Sequence, residues 1–511
     1  MFQRLTDHVS IEIARSRIAE LLAAYPEWYC STADGKSYAL RRNEMEIETL
    51  QGRLIFSCWT EKGIRSWRIL GWSWNDKILN LRTSRRMGAE VSLIELIPRA
   101  SAAAIAATIR AARQLRCERL AQLAADVAPA TRVERSALSP GVRRGQPGRF
   151  ARILLTQKHQ RIAVTGSVIT SHAGEVDAFL ASALLWFTRT SERARPPYIE
   201  QLWLIVEDRL ARPTLQRLVL FRQALKEIIT VYMIDEPWTV LTPLHCPDRR
   251  ELLQKRLPRF PPVSSPMLAD LAADIISQAP ESIDVVHARH GQTLRYLGLP
   301  FARVRRLLGT ERVWFGIEGA RRRILDENTA GQWQSLISEL RTHRSANASD
   351  HHHALYRAAA EAWLESLLRR DITKLDPGLV IAPLHAQFRT ARGGRLGVRP
   401  IDLLALRQDG RLVVIELKVF EDREHVLQGA DYWQRVEAHR CRGHISRAKL
   451  FGDRPIRDQS PLVYLVAPTL RVHPSFHSLA RCIAHDIEIY RFDINEDWRA
   501  GVRVMRRMRV N

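Results

Sequence analysis

Three charged residues interrupt two apolar, strand-like runs in the stretch RPIDLLALRQDGRLVVIELKVF at positions 399–420. They are Asp402, Glu416 and Lys418. Alternate residues of a strand face the same side, so Glu416 and Lys418 share a face. The Asp409-Gly410 turn predicts a hairpin that holds the strand of Asp402 beside the strand of Glu416. If Asp402 lies on that face, two carboxylates meet, repel each other and raise each other's pKa.

The chemistry that such a set supports is metal-assisted hydrolysis of a phosphodiester. Mg²⁺ binds one or two carboxylates and keeps positions for water or for phosphate oxygens. Lys418 beside it can orient a water or stabilise charge on the phosphate. The alternative is a surface hairpin in which the three charges only form a salt bridge. The run VVIELKVF is apolar almost throughout, and uncompensated charges in a buried strand are costly, so the sequence favours a site.

The order of these residues resembles the PD-(D/E)xK nuclease superfamily, in which a helix glutamate, a strand aspartate and an ExK triplet build the metal site. The chain shows RPID, with Pro400 and Asp402, and then IELK, with Glu416 and Lys418. Ile401 separates the proline from the aspartate, a departure that is common among divergent members. The resemblance covers roughly residues 350–511.

Two further motifs of the superfamily flank this hairpin. Downstream, QGADY supplies Gln428 and Tyr432, which resemble the QxxxY motif of the RecB-like branch. Residues four apart lie on one face of a helix, so both can face the site. Upstream, EAWLESLLRRD offers Glu361 and Glu365 for the helix carboxylate. Glu361 is the first choice, because its ExxLxxxL context ahead of LDPGL resembles NucS-like endonucleases, and Glu365 is the second.

The resemblance implies a role for each of these positions. The implied ligands of Mg²⁺, which Mn²⁺ can replace, are Asp402, Glu416, the backbone carbonyl of Leu417 and Glu361 (directly or through water). Lys418 would position the attacking water, and Gln428 with Tyr432 would support the site or the DNA backbone. Members of the superfamily usually leave a 5′-phosphate and a 3′-hydroxyl, which is the expectation here.

Composition agrees with a nucleic-acid partner. Lys and Arg number 78 against 55 Asp and Glu, which gives a formal net charge of +23. Such an excess favours contacts with phosphates, although an arginine-rich proteome would also produce it. The six cysteines form no CxxC pair, which disfavours a zinc ribbon or a disulfide framework. No apolar run approaches the roughly 20 residues that span a bilayer, and the first residues show no signal core, so a cytoplasmic location without membrane contact is expected.

The remaining sequence predicts an α/β protein of several domains, since 511 residues exceed one compact core. We predict a β-rich N-terminal module with helices at 1–140 and an α/β domain of unknown role at 141–260. A linker or mixed segment follows at 261–345, and a restriction-endonuclease-like domain, a mixed central sheet flanked by helices, at 346–511. The α/β domain has no Gly-rich loop ahead of its helices, so a nucleotide site is not indicated.

Four tryptophans of the N-terminal module lie among arginines: Trp59, Trp67, Trp72 and Trp74. Aromatic rings interleaved with arginines can stack on bases and hold phosphates. The commoner arrangement is a small β-module whose tryptophans form the core while the arginines are solvated. Both interpretations remain open from the sequence.

The functional hypothesis is therefore a Mg²⁺-dependent DNA nuclease, endonuclease or exonuclease, acting in repair, restriction or defence. One alternative is a non-catalytic nucleic-acid-binding protein built on a nuclease-like scaffold. Degenerate members of the superfamily lose the aspartate or the ExK triplet, and this chain keeps both. Another alternative is an RNA-directed nuclease. The oligomeric state is open, and a homodimer is compatible with the sequence.

Overall fold

The structure is a computed structural model. The residues that it describes are 3–5, 8–32, 37–60, 63–75, 78–85, 90–98, 102–128, 130–141, 147–157, 160–169, 173–254, 257, 260, 267–288, 291–307, 310–317, 323–388 and 400–511. They group into two compact units, one ending at Leu252 and the other beginning at Leu253. Parts of two predicted domain boundaries, residues 142–146 and 261–266, lie outside the described residues. The chain is a mixed α/β protein with four sheets among the described residues.

The first unit begins with an eight-stranded antiparallel sheet. Its strands and the neighbouring helices are β1 (Gln3–Arg4), α1 (His8–Ala23), β2 (Glu27–Thr32), β3 (Ser37–Arg41), β4 (Met45–Leu50), β5 (Arg53–Thr60), β6 (Gly63–Asn75), β7 (Ile78–Arg85), β8 (Glu90–Pro98) and α2 (Ala102–Val127). The order is β3-β2-β8-β7-β6-β5-β4, with β1 beside β6.

The tryptophans of this sheet are mainly core residues. Trp67 and Trp72 are buried together with Trp28 in one apolar cluster. Trp74 is half-buried and meets Trp28 edge-on, with ring centroids 6.3 Å apart. Trp59 is 40% exposed and is the member of the four that could stack on a base. Burial thus accounts for most of the aromatic pattern that the sequence left open.

A second sheet of six strands completes this unit. Its elements are β9 (Thr131–Pro140), β10 (Pro147–Gln157), β11 (Gln160–Ser167), α3 (Val176–Arg193), β12 (Ile199–Glu207), α4 (Asp208–Leu218), α5 (Gln223–Ile228), β13 (Ile229–Ile234), β14 (Leu241–Leu244) and α6 (Arg249–Gln254). Strands β11, β12 and β13 are parallel and the others antiparallel. The alternation of strands and helices is as the sequence predicts, except that the second helix is divided into α4 and α5.

The second unit begins with a five-stranded antiparallel sheet whose strands follow chain order. Its elements are α7 (Asp270–Ser277), β15 (Ile283–Ala288), β16 (Gly291–Tyr296), β17 (Leu299–Leu307), β18 (Thr310–Phe315), β19 (Arg323–Ile324) and α8 (Ala330–His343). Sequence analysis assigned this region only as linker or mixed structure, so the sheet is an addition to what was predicted.

The last sheet carries the predicted site residues. Its elements are α9 (Ala354–Arg357), α10 (Ala360–Arg370), β20 (His385–Phe388), β21 (Ile401–Leu406), β22 (Leu412–Leu417), α11 (His425–Arg440), α12 (His444–Arg447), β23 (Leu462–Pro468), α13 (Phe476–Ala480), β24 (Ile489–Ile494) and β25 (Val504–Arg509). Strands β20 to β25 lie in chain order, with β22, β23 and β24 parallel and the edges antiparallel. Among the described helices, none is long and apolar enough to cross a membrane.

Arg344 fixes the start of α10 against the five-stranded sheet. Its fully buried guanidinium donates hydrogen bonds to the carbonyls of Tyr296 (2.9 Å), Leu297 (2.8 Å), Leu355 (2.8 Å) and Ala358 (2.6 Å). Tyr296 ends β16 and Leu297 lies in the turn to β17, whereas Leu355 belongs to α9 and Ala358 to the connection from α9 to α10. Arginine has five donors in a fixed fork, so one side chain can satisfy all of these groups.

Gly298 brings the same turn against α10 directly. It adopts φ +81°, and a Cβ built on it would lie 2.0 Å from the carbonyl oxygen of Ala362. Only glycine adopts this backbone conformation without strain and leaves room for the helix. The five-stranded sheet is therefore the platform on which α10 rests.

We expect Arg344→Met to destabilise the second unit by about 3 kcal/mol or more, because it leaves several buried carbonyls without donors. Arg341→Met is the matched control, since Arg341 is exposed and donates one hydrogen bond, to the carbonyl of Gln278; its effect should stay within about 0.5 kcal/mol. Urea unfolding followed by circular dichroism measures both. Equal effects of the two substitutions would show that Arg344 does not tie α10 to the sheet.

Candidate active site

The hairpin of β21 and β22 sets Asp402 opposite Glu416. Leu403 pairs with Ile415 at the end of this antiparallel register, and continuing the register by one residue sets Asp402 opposite Glu416. Side chains of opposed residues in an antiparallel pair lie on the same face. This face is covered by α11, because Tyr432 packs in one apolar cluster with the hairpin. The two carboxylates therefore meet under the helix that carries the QxxxY motif.

Glu416 is buried with an incompletely satisfied carboxylate. It is 2% exposed, and its Oε1 accepts a 2.7 Å hydrogen bond from Lys418 Nζ. Among the described residues no donor group contacts its Oε2. Burial, followed by the charge of Asp402, raises the pKa of Glu416 well above its ordinary value; a hydrogen bond between the Glu416 and Asp402 carboxyl groups adds to the rise, while Lys418 opposes it. This carboxylate is thus held where a second cation would stabilise it.

Lys418 is a buried ammonium surrounded by acids. Burial lowers its pKa, but the carboxylates of Glu416, Glu361 and Asp402 outweigh burial and raise the pKa above its ordinary value. Asp422 Oδ2 lies 3.9 Å from Nζ. Lys418 therefore stays protonated at neutral pH, acting as a fixed positive charge and a donor rather than as a base.

Asp402 also holds the end of β22. Its Oδ2 accepts a 2.9 Å hydrogen bond from the backbone N–H of Leu417. The contact fixes the Asp402 carboxylate beside the residue whose carbonyl is the implied third ligand. Asp402 itself is half-buried, in contrast to Glu416.

Helix α11 carries Gln428 and Tyr432, and Tyr432 lies close enough to the two carboxylates to be influenced by their charges. Both side chains are buried. Burial, then the charge of Glu416, and more weakly that of Asp402, raise the pKa of the Tyr432 hydroxyl, which therefore stays protonated. Gln428 Nε2 donates to Glu424 Oε2 at 3.4 Å, while Gln428 Oε1 has no hydrogen-bond partner among the described residues.

The two glutamates of α10 have different surroundings. Glu365 is buried and its Oε1 accepts a 3.1 Å hydrogen bond from Arg295 Nη1, on β16. Glu361 is half-buried in the first turn, and its charge contributes to the raised pKa of Lys418. The structure thus brings Glu361 toward the site and engages Glu365 with the five-stranded sheet.

His425 is a site residue that sequence analysis missed. It is the first residue of α11, and its Nε2 donates to the backbone carbonyl of Glu416 at 3.3 Å. Burial, followed by the charge of Lys418, lowers the pKa of His425 to about 3, so the ring is neutral. The signal was its spacing, three residues before Gln428 on the same helix face.

Gly429 lets α11 lie close to the sheet. A Cβ at this position would come within 2.6 Å of Leu465 Cδ2 on β23. The glycine beside the motif glutamine therefore allows α11 to lie close to β23, and a larger residue there would have to displace the Leu465 side chain.

The donor set suits a hard divalent cation. No group of three or more His, Cys, Asp and Glu side chains arranged for a metal occurs in the described part of the chain. The implied set combines the Asp402 and Glu416 carboxylates with the Leu417 carbonyl, and its third carboxylate, Glu361, does not complete such a group with them. Oxygen donors of this type suit Mg²⁺, and the unpartnered Oε2 of Glu416 and the repulsion between the carboxylates are what a cation would satisfy.

Comparison with family models, with curated proteins and with solved structures finds no match for this chain. Function therefore has to be argued from the chemistry of this site.

We expect Asp402→Asn to stabilise the protein in EDTA at neutral pH, raising Tm by about 2–4 °C. Asparagine can still accept from the Leu417 N–H but no longer repels Glu416. Asp409→Asn, in the exposed hairpin turn, is the control and should leave Tm unchanged.

The stabilisation by Asp402→Asn should depend on pH. The folded-state pKa of Glu416 is raised, so the stability linked to its protonation is complete below its unfolded pKa, about 4.3, and is lost as pH rises through the folded pKa. The loss should be smaller in Asp402→Asn, so its advantage should grow with pH. A variant less stable than the wild type at every pH would indicate a structural hairpin instead.

Proposed function

We propose that the chain is a Mg²⁺-dependent nuclease that hydrolyses phosphodiester bonds of DNA, with Mn²⁺ able to replace Mg²⁺. Membership of the PD-(D/E)xK superfamily and a cytoplasmic location belong to the same proposal. The observation that carries it is the proximity of the half-buried Asp402 carboxylate to the buried Glu416 carboxylate, with an unpartnered Glu416 oxygen and the Lys418 ammonium beside it.

The cation would be held by the two carboxylates and the Leu417 carbonyl, with Glu361 directly or through water. When bound, it would polarise the phosphate and lower the pKa of a bound water. The Asp402 carboxylate is oriented for this task by its bond to the Leu417 N–H. Glu416 has one oxygen engaged by Lys418 and the other available.

Lys418 would orient the attacking water and stabilise negative charge that develops on the phosphate. Its raised pKa keeps it an ammonium, and the 2.7 Å bond to Glu416 fixes its direction. A positioned cation in a water-poor site stabilises a charged transition state more than it would in bulk water. Deprotonation of the water is left to solvent or to the substrate phosphate.

Side chains of helix α11 would support the site. Gln428 offers its unpartnered Oε1 as an acceptor for a water. Tyr432 keeps its hydroxyl proton near the carboxylates. His425 fixes the Glu416 peptide as a neutral donor.

A cleavage assay on a panel of DNA and RNA substrates tests the proposal. We expect cutting of DNA with Mg²⁺ and none with EDTA. Asp402→Ala and Lys418→Ala should each lower the rate by at least about 10²-fold, the scale of losing a metal ligand or a charge-stabilising donor. Asp409→Ala, in the turn of the same hairpin, should cut at the wild-type rate.

Two results would overturn the proposal. Activity that survives both substitutions would remove the site assignment, and cutting in EDTA would remove the metal. DNA binding without cleavage would favour the scaffold alternative, while cutting confined to RNA would favour the RNA-directed alternative.

A further inference from the structure

Four basic side chains gather on the sheet beyond Glu416. We call them the basic cluster: His477 on α13, Arg481 just after it, Arg491 on β24 and Arg506 on β25. His477, Arg481 and Arg506 are exposed, and Arg491 is half-buried. The cluster is separate from the proposed catalytic residues and lies in the same unit.

The cluster shares a sheet face with the two carboxylates. Glu416 pairs with Leu465, and Leu465 pairs with Arg491, so the three residues form one row across β22, β23 and β24. Paired residues of neighbouring strands point to the same face. With strands about 4.8 Å apart, Arg491 begins about 10 Å from Glu416.

Ring contacts connect the two places. His425, which bonds the Glu416 carbonyl, meets Phe476 edge-on with centroids 6.0 Å apart. The Arg491 guanidinium lies 5.5 Å from the centroid of the same Phe476 ring. Packed side chains therefore connect the carboxylates to the basic cluster on the face of the sheet that α11 covers.

The basic cluster contains more arginines than carboxylates that pair with them. Arg491 is engaged by Asp493, at 2.8 Å for Nη2, and its Nη1 lies 3.1 Å from His477 Nε2. Arg481 and Arg506 form no ion pair with a described residue. Burial lowers the pKa of His477, and the positive charges of Arg491, Arg481 and Arg506 lower it further. Two guanidinium groups thus remain for an external anion.

Other arginines at this edge of the sheet behave differently. Each of three arginines forms an ion pair with a carboxylate. The nitrogen-to-oxygen distances are 3.5 Å for Arg503–Asp497, 3.5 Å for Arg507–Asp376 and 3.9 Å for Arg509–Glu488. Arg481 and Arg506 differ from these three arginines in having no carboxylate partner among the described residues.

We propose that the basic cluster binds backbone phosphates of the substrate nucleic acid, so that the strand runs across the sheet from Asp402 toward β25. The inference rests on the proposed nuclease function and names the surface that holds the flanking DNA. Arginine forks match phosphate oxygens. Arg506 on β25 lies one strand beyond Arg491, at least about 14 Å from Glu416. Since phosphates rise about 3.4 Å apart along the axis of one strand, it would meet phosphates about four or more nucleotides from the one that is cut.

The test compares two double variants that remove the same charge. Arg481→Gln/Arg506→Gln removes the free guanidinium groups, and Arg503→Gln/Arg509→Gln removes paired ones from the same segment. Binding to a fluorescent DNA duplex is measured by anisotropy in EDTA over a range of NaCl concentrations, and cleavage is measured with Mg²⁺.

We expect the first double variant to raise Kd about tenfold and to reduce the slope of log Kd against log salt by about 2. Its KM should rise while kcat stays close to that of the wild type. The second double variant should keep the wild-type slope. Arg481→Lys/Arg506→Lys should restore the slope, which separates lost charge from a folding defect.

The outcomes distinguish the two proposals. If the wild type binds and cuts DNA but both double variants behave alike, the phosphate-binding role of the basic cluster is wrong and the nuclease proposal stands. If the first double variant loses kcat with an unchanged KM, the cluster acts on the chemistry and the proposed role is also wrong. A wild type that neither binds nor cuts nucleic acid overturns both.

Discussion

Two carboxylates held opposite each other in a buried hairpin are the constraint around which the second unit is organised. Neither Asp402 nor Glu416 can move away, because the register of β21 and β22 sets them face to face. Repulsion between them has an energetic cost in a low-dielectric interior. Lys418 offsets part of that cost through one oxygen of Glu416 and leaves the other unpartnered among the described residues. A site that is destabilised in this way is typical of function rather than of a structural ion pair.

The elements around the hairpin are built to keep these groups in place. Gly429 allows α11 to approach β23 closely, and Tyr432 of the same helix lies within the influence of the two carboxylates. On the other side, Arg344 gathers carbonyls from two segments and fixes the start of α10, where Glu361 lies. Precise placement of reacting groups depends on such supporting contacts, so residues far from the chemistry are expected to influence it.

The sequence was sufficient for the hairpin but not for what surrounds it. Strand alternation and a turn signal act over a few residues, and these placed Asp402 beside Glu416. The choice between Glu361 and Glu365 stayed open because they are one helical turn apart, and it depends on Arg295, about 70 positions away along the chain. Arg344 looks like an ordinary residue at the end of a helix, since its carbonyl partners carry no side-chain signal. The five-stranded sheet was missed because its short hairpins alternate apolar residues with many arginines.

Anomalous diffraction from crystals soaked in Mn²⁺ tests the central claim most directly, because it locates the cation without reference to activity. We expect a Mn²⁺ peak bounded by the carboxylates of Asp402 and Glu416 and by the Leu417 carbonyl, and no peak there in crystals of Asp402→Asn. Crystals that diffract well but show no Mn²⁺ at this position, with Glu416 still bonded only to Lys418, would contradict the claim that the carboxylate pair is a metal site.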